Sequence, residues 1–172
     1  MIYQFRCQSM ESRHFRLEID ADGRHSFLEL HQILQQALGY QNQHIASFFI
    51  PLSRGRKPVE ISQLEGPCRQ GLPTMRNTMI GMVITPSVRF FRYVFDLISD
   101  RYLQIELTGT IMEKNLREPV VSLQRGESPA EVLDEVINAK LPQGRKAPEP
   151  DTDYGLLTDY YEIFGEMEEL VR

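Results

Sequence analysis

Residues 26–50, SFLELHQILQQALGYQNQHIASFFI, constrain the chain more than any other stretch, because they carry a complete element with its own start and stop. Ser26 is a favourable N-cap, and Glu29 three residues on can close a capping box with it. Phe27, Leu30, Ile33, Leu34, Ala37 and Leu38 recur at helical spacing, against a polar face of Glu29, Gln32, Gln35 and Gln36. Gly39 supplies the left-handed conformation that ends a helix. After a short polar turn, residues 45–50 read as a buried strand. A helix with one apolar stripe must lie on something, and the flanking sequence provides a sheet.

Before the helix, Tyr3, Phe5 and Cys7 alternate with Gln4, Arg6 and Gln8, and Phe15, Leu17 and Ile19 alternate with Arg16, Glu18 and Asp20. Each set has the period of a strand with one buried face, and the segment between them is short enough for a hairpin. The opening fifty residues therefore predict a ββαβ unit. Residues 51–78 are punctuated by Pro51, Gly55, Pro58, Gly66, Pro67, Gly71 and Pro73, which predicts loop. Residues 79–85 are a short strand candidate ended by Pro86. Residues 89–97 and 101–111 flank Ser99-Asp100 as a second hairpin, with Phe91, Tyr93 and Phe95 on one face and Leu103, Ile105 and Leu107 facing in. Residues 119–123 suggest one more strand. Ser128-Pro129-Ala130-Glu131 combines an N-cap, a proline at the first helical position and a capping glutamate, which predicts a helix over 128–139.

Net charge matters here because of where it lies. The whole chain carries -5, yet residues 151–172 hold seven acidic side chains (Asp151, Asp153, Asp159, Glu162, Glu166, Glu168, Glu169) against Arg172 alone. That is 1 - 7 = -6, which leaves +1 for residues 1–150. A body so nearly neutral argues against nucleic acid as an obligatory partner, since that mode needs a basic face. The apolar runs fall short of the roughly 18–20 residues that cross a membrane. The alternating N-terminus lacks a signal peptide's apolar block, so the expected location is cytoplasmic, with Cys7 and Cys68 as thiols.

Chemistry is thinly signalled. His31 sits at the flank of the helix stripe with Leu34 and Gln35 one turn on, so it reads as a half-exposed helix histidine. His44 lies in the following turn. Neither has the neighbours of a zinc site. Cys7 reads as inert strand packing, and Cys68, beside Arg69, has no base behind it. Asp96, Asp100 and Glu106 could place carboxylates together for acid–base work or a divalent cation, but aspartates at hairpin turns also serve the backbone. The basic run Arg54, Arg56 and Lys57 lacks the pattern of a nucleotide-binding loop. Phe90, Phe91, Tyr93 and Phe95 between Arg89 and Arg92 evoke a base-stacking sheet, although alternation assigns most of them to the core.

The segment FLELHQILQQALGYQNQHIASF, followed later by YVFDLISDRYLQIEL, resembles the plasmid pRiA4b ORF-3-like family, also labelled insertion-element passenger resolvase-like. Shared features are a leucine-histidine helix (Leu30, His31), an aromatic residue after it (Tyr40), a polar turn with a histidine (His44), and a hairpin matching Tyr93, Phe95, Asp96 and Asp100. The family's Phe-Gly-Asp turn is Leu97-Ile98-Ser99-Asp100 here, Tyr102 stands in place of its tryptophan, and its later cysteine-rich segment is reduced to residues 123–129. The resemblance implies an α+β fold with no established activity, and marks His44, Asp96, Asp100 and Tyr102 as a patch to inspect. The resolvase-like label carries no recombinase chemistry, because the catalytic serine on an arginine-rich surface is missing.

The expectation is thus an α+β domain over 1–141: a mainly antiparallel sheet of about five to seven strands with helices 26–38 and 128–139 packed on it. A linker over 142–152 and an acidic amphipathic helix within 153–172 follow. The functional expectation is a non-enzymatic binding or interaction module without a cofactor. A divergent enzyme or metal site using His44, Asp96 and Asp100, and a nucleic-acid-associated protein of mobile-element origin, are the alternatives. The C-terminal helix, through Tyr160, Phe164 and Met167, is expected to dock on a partner or on the chain's own basic surface, with Arg54, Arg56, Lys57, Arg89 and Arg92 as candidates.

Overall fold

The computed structural model describes residues 1–52, 56–85, 87–112 and 114–133. The chain divides into two units, Met1–Val132 and Leu133–Arg172, and the first contains every element described below. The expected linker 142–152 and the C-terminal helix, with Tyr160, Phe164 and Met167, lie outside the described residues.

β1 (Ile2–Ser9) and β2 (Arg16–Asp22) form the first hairpin, pairing Phe5 with Ile19 and Cys7 with Leu17. α1 (Phe27–Leu38) opens with the full capping box: Ser26 Oγ accepts from the Glu29 amide, and Glu29 Oε2 accepts from the Ser26 amide at 2.7 Å. It closes on Gly39, whose φ of 74° is the left-handed conformation glycine adopts without strain. β3 (Ser47–Ile50), β4 (Val59–Ser62), α2 (Ile80–Val83), β5 (Phe90–Asp96), β6 (Arg101–Ile111) and β7 (Val120–Arg125) follow. The strands make one seven-stranded sheet in the order β4-β3-β5-β6-β1-β2-β7, with every neighbouring pair antiparallel.

Alternation assigns the two faces of the sheet. Tyr3, Phe5, Cys7, Leu17, Ile19, Phe48, Phe91, Tyr93, Leu103 and Ile105 join Phe27, Leu30 and Leu34 of α1 in one buried cluster. Phe48 sits at its centre, with its ring 5.0 Å from that of Phe27 and 4.9 Å from that of Tyr93. The opposite face carries charge instead: Arg16 and Arg6 share Glu18, and Arg6 and Arg89 share Glu106. One side of the sheet therefore holds the fold together, and no element among the described residues packs on the other.

The expected α+β class is overturned. Among the described residues the helices are α1, of 12 residues, and α2, of 4, so the unit is a mainly β structure carrying one substantial helix. The start signal at Ser128-Pro129-Ala130-Glu131 opens no helix through residue 133. Its groups are committed elsewhere. The Glu131 carboxylate accepts from the amides of Gln41 and Gln43, while the Pro129 and Ala130 carbonyls accept from Tyr40 and Arg101. Residues 134–139 of that expected helix lie outside the described residues.

Two smaller corrections share a cause, tertiary contact overriding a short local pattern. Residues 79–85 are not a strand: Ile80 and Ile84 are buried one helical turn apart while Met82 is exposed, and Ile84 N donates to Ile80 O. Within the expected loop 51–78, β4 pairs the whole length of β3, and Met75 N continues it by donating to Ser62 O.

Candidate functional site

The open face of β3, β5 and β6 is built by register. Phe49, Arg92 and Gln104 lie side by side across the three strands, on the positions that alternate with core residues Phe48, Tyr93 and Leu103. Around them is a cleft of about 530 Å³ whose walls include Phe49, Leu52, Arg56, Phe90, Arg92 and Asp100. Phe90 and Leu52 remain 42% and 46% exposed there, which is unusual for large apolar side chains close together. The Arg92 guanidinium lies over the Tyr102 ring, 4.5 Å from its centroid, so its plane is set by stacking. Neither Arg56 nor Arg92 makes an ion pair with another described residue, whereas Arg89 is engaged by Glu106 at 3.2 Å. Lys57 is exposed nearby in sequence, and Arg54 lies outside the described residues.

A second polar cluster lies beyond the C-terminal end of α1. Arg101 begins β6 on the inward register and is only 6% exposed. Its guanidinium donates to both carboxylate oxygens of Glu11, at 2.8 and 2.7 Å, and lies 5.0 Å from the Phe95 ring centroid. The Tyr40 ring packs on Phe95 with centroids 5.3 Å apart. Asp96, at the end of β5, accepts from the amides of Ile98 and Ser99 at 3.0 and 3.2 Å. Burial pushes its carboxyl up, but those amides, the Ser99 hydroxyl and the nearby His44 outweigh it, so the net shift is downward. His44 Nε2 is enclosed without a hydrogen-bond partner.

The patch inferred from sequence is therefore divided. Asp100 lines the open cleft and Tyr102 supports Arg92 there, while His44 and Asp96 belong with the Arg101 cluster. Asp100 has a φ of 51° and sits at the hairpin turn, a position aspartate tolerates for backbone reasons. Among the described residues, no three His, Cys, Asp or Glu side chains converge as a metal site would require. At Asp96 one carboxylate oxygen, Oδ1, is taken up by two backbone donors.

His31 is placed differently from expectation. It is 3% exposed, with Nδ1 2.8 Å from the Tyr93 hydroxyl, which also accepts from Gln35 Nε2 at 2.6 Å. Burial drives its pKa down to about 4, partly offset by the Asn42 side chain. Sequence reasoning also missed Arg101, Glu11 and Glu131. The available signal was Arg101 itself: a charge at the inward position of the series Arg101, Leu103, Ile105 must find a partner.

The matched family is that described as "Plasmid pRiA4b ORF-3-like protein", over residues 8–140. Among solved structures, the chain is similar to a protein of unknown function, MM3350 from Methanosarcina mazei Go1. The TM-score is 0.60 at 14% identity, covering 72% of this chain and 68% of that one. At that identity the likeness speaks for the fold alone. A comparison with curated protein sequences finds no match. Neither similarity supports the resolvase-like label. With a family match spanning most of the sequence, the seven-stranded sheet and the turn after α1 belong to a member of the plasmid pRiA4b ORF-3-like family.

Proposed function

We propose that this protein is a cytoplasmic, non-enzymatic binding module whose ligand lies in the cleft on the open face of β3, β5 and β6. One observation carries the reading: two guanidinium groups free of ion pairs with described residues, Arg56 and Arg92, line the same cleft as the exposed Phe90 and Leu52. Exposed apolar surface beside cations that make no ion pair with described residues suits an acidic peptide bearing aromatic side chains. The sequence of residues 151–172, with seven carboxylates and Tyr154, Tyr160, Tyr161 and Phe164, has that chemistry, and we take it as the model ligand, acting in cis or in trans. No helix among the described residues is long and apolar enough to cross a membrane.

The test is a titration of full-length protein with a labelled peptide of sequence 151–172. Arg92→Glu should weaken binding by roughly tenfold, as charge reversal at a stacked guanidinium does, and added salt should weaken it further. Equal affinity for the unaltered and Arg92→Glu proteins, or an affinity that salt leaves unchanged, would refute the reading.

A further inference from the structure

We propose that the turn after α1, with Tyr40 and Arg101, is a second binding site, for an extended peptide carrying a glutamate two residues after a proline, and that residues 127–131 are its intrachain occupant. This site is distinct from the open-face cleft, and it stands whether or not that cleft binds a ligand.

The contacts are those of a receptor with a peptide. The Tyr40 hydroxyl donates to Pro129 O at 2.7 Å. Arg101 donates through Nη2 to Ala130 O at 2.6 Å and through Nη1 to Glu131 O at 3.1 Å. The Glu131 side chain is held by the amides of Gln41 and Gln43, at 2.7 and 2.8 Å. Those two amides flank Asn42, whose φ of 57° turns successive N–H groups toward one point, the arrangement of a backbone anion nest. Ser12 Oγ adds a bond to Glu127 O at 2.8 Å. In all of these bonds the segment's carbonyls and its carboxylate accept. The Pro129 ring is buried, giving the one apolar anchor.

Each receptor group is positioned without help from the peptide. Glu11 and Phe95 hold the Arg101 guanidinium in its plane, Phe95 also packs the Tyr40 ring, and Gln63 Nε2 binds Asn42 Oδ1 at 3.1 Å. A site that keeps its shape when empty does not charge the ligand for ordering it. Residues 127–131 are joined to the fold only from the β7 side in the described structure, and β7 is an edge strand. The segment can leave and return without unpairing another of the described strands. A partner presenting the same Pro-x-Glu chemistry would displace it.

The experiment uses full-length Glu131→Ala, in which the nest has lost its carboxylate, and a fluorescein-labelled peptide of residues 125–133, RGESPAEVL. The variant should bind the peptide saturably and roughly tenfold more tightly than the unaltered protein, whose own segment competes. The peptide with Gln in place of its second Glu should bind neither protein. Equal, weak binding by both proteins, or no discrimination between the two peptides, overturns the proposal. Should Glu131→Ala fail to fold, the same titration on unaltered protein decides the matter through the Gln41 and Gln43 amide resonances. Peptide at a few millimolar, comparable with the effective concentration of a tethered segment, must shift both of them. If they stay still, the proposal is wrong.

Discussion

Protonation of His31 should make the domain acid-sensitive between about pH 6.5 and about pH 4. The imidazole is almost fully enclosed, has its Nδ1 2.8 Å from the Tyr93 hydroxyl, and has a pKa lowered from 6.5 to about 4 by burial. The sign follows from which state takes up the proton first. Between those two values the unfolded chain carries a charged histidine and the folded protein a neutral one, so acid favours unfolding. A His with a depressed folded pKa contributes its full stabilisation above the unfolded value and loses it as pH falls toward the folded one. From about pH 7.5 to about pH 4.5 the loss amounts to roughly 2.5 kcal/mol, out of a total stability that is commonly about 5–15 kcal/mol. Asp22 and Asp96 do not confuse the window: their lowered carboxyls lose stabilisation only as pH approaches and passes below 3.8. Urea unfolding at both pH values, on the unaltered protein and on His31→Gln, isolates the effect. Glutamine can still hydrogen-bond the Tyr93 hydroxyl but cannot titrate. The variant should show a pH dependence smaller by about 2 kcal/mol, even if it is less stable at neutral pH. Identical pH dependence in the two proteins would mean His31 is not neutral and buried as described.

Two glycines with left-handed backbones should separate by their surroundings. Gly39 has nothing within 4 Å of the position a Cβ would take, so Gly39→Ala should cost about 1 kcal/mol from backbone strain alone. At Gly126 the added Cβ would meet His14 O at 2.3 Å, so Gly126→Ala should cost clearly more, about 3 kcal/mol or above. Thermal melts of the two variants check the order, and a smaller loss at Gly126 contradicts the placement of the β7 exit. Cys7 is completely buried, and burial pushes its thiol well above the usual range. In a Cys68→Ser background, a thiol reagent at neutral pH should therefore modify Cys7 only after denaturant is added, as followed by mass spectrometry.

Legibility in the sequence tracked how locally each feature was determined. α1 was readable to its caps because Ser26, Glu29 and Gly39 act within one turn of the chain. The β1–β2 and β5–β6 hairpins were readable because alternation there persists for several residues. β4 was not, since Val59 and Ile61 give too short a pattern among prolines, and only pairing with β3 makes them a strand. The same holds for residues 128–131, where a strong helix start is overruled by partners about 90 positions away. Helix signals assume that a capping side chain has nothing better to bind than its own backbone. Here the nest after α1 offers Glu131 two amides already aimed at one point, while an incipient helix offers one amide and demands ordering of the turns that follow.

The candidate sites divide along the same line. Arg92 and Phe90 were visible as a basic-aromatic strand because alternation alone puts Phe90 and Arg92 opposite the core residues Phe91 and Tyr93. The Arg101 cluster was not, because its members come from five separate stretches: Glu11, Tyr40 to His44, Phe95 and Asp96, Arg101, and Pro129 to Glu131. A buried cation at a strand start implies a partner without naming it, and Glu11 could be any of several acidic residues until the fold is known. The consequence is mechanistic as well as descriptive. Arg101 needs Glu11 to be buried at all, since an unpaired guanidinium there would lose its hydration without compensation. With that charge already neutralised, its remaining donors read neutral carbonyls, which any peptide offers. Discrimination must then come from the nest, where the Gln41 and Gln43 amides donate together to a carboxylate of the right reach, and from Tyr40 beside the buried proline. The pairing of a backbone-reading arginine with a carboxylate-reading nest is what fits this corner of the sheet to bind one peptide sequence over another.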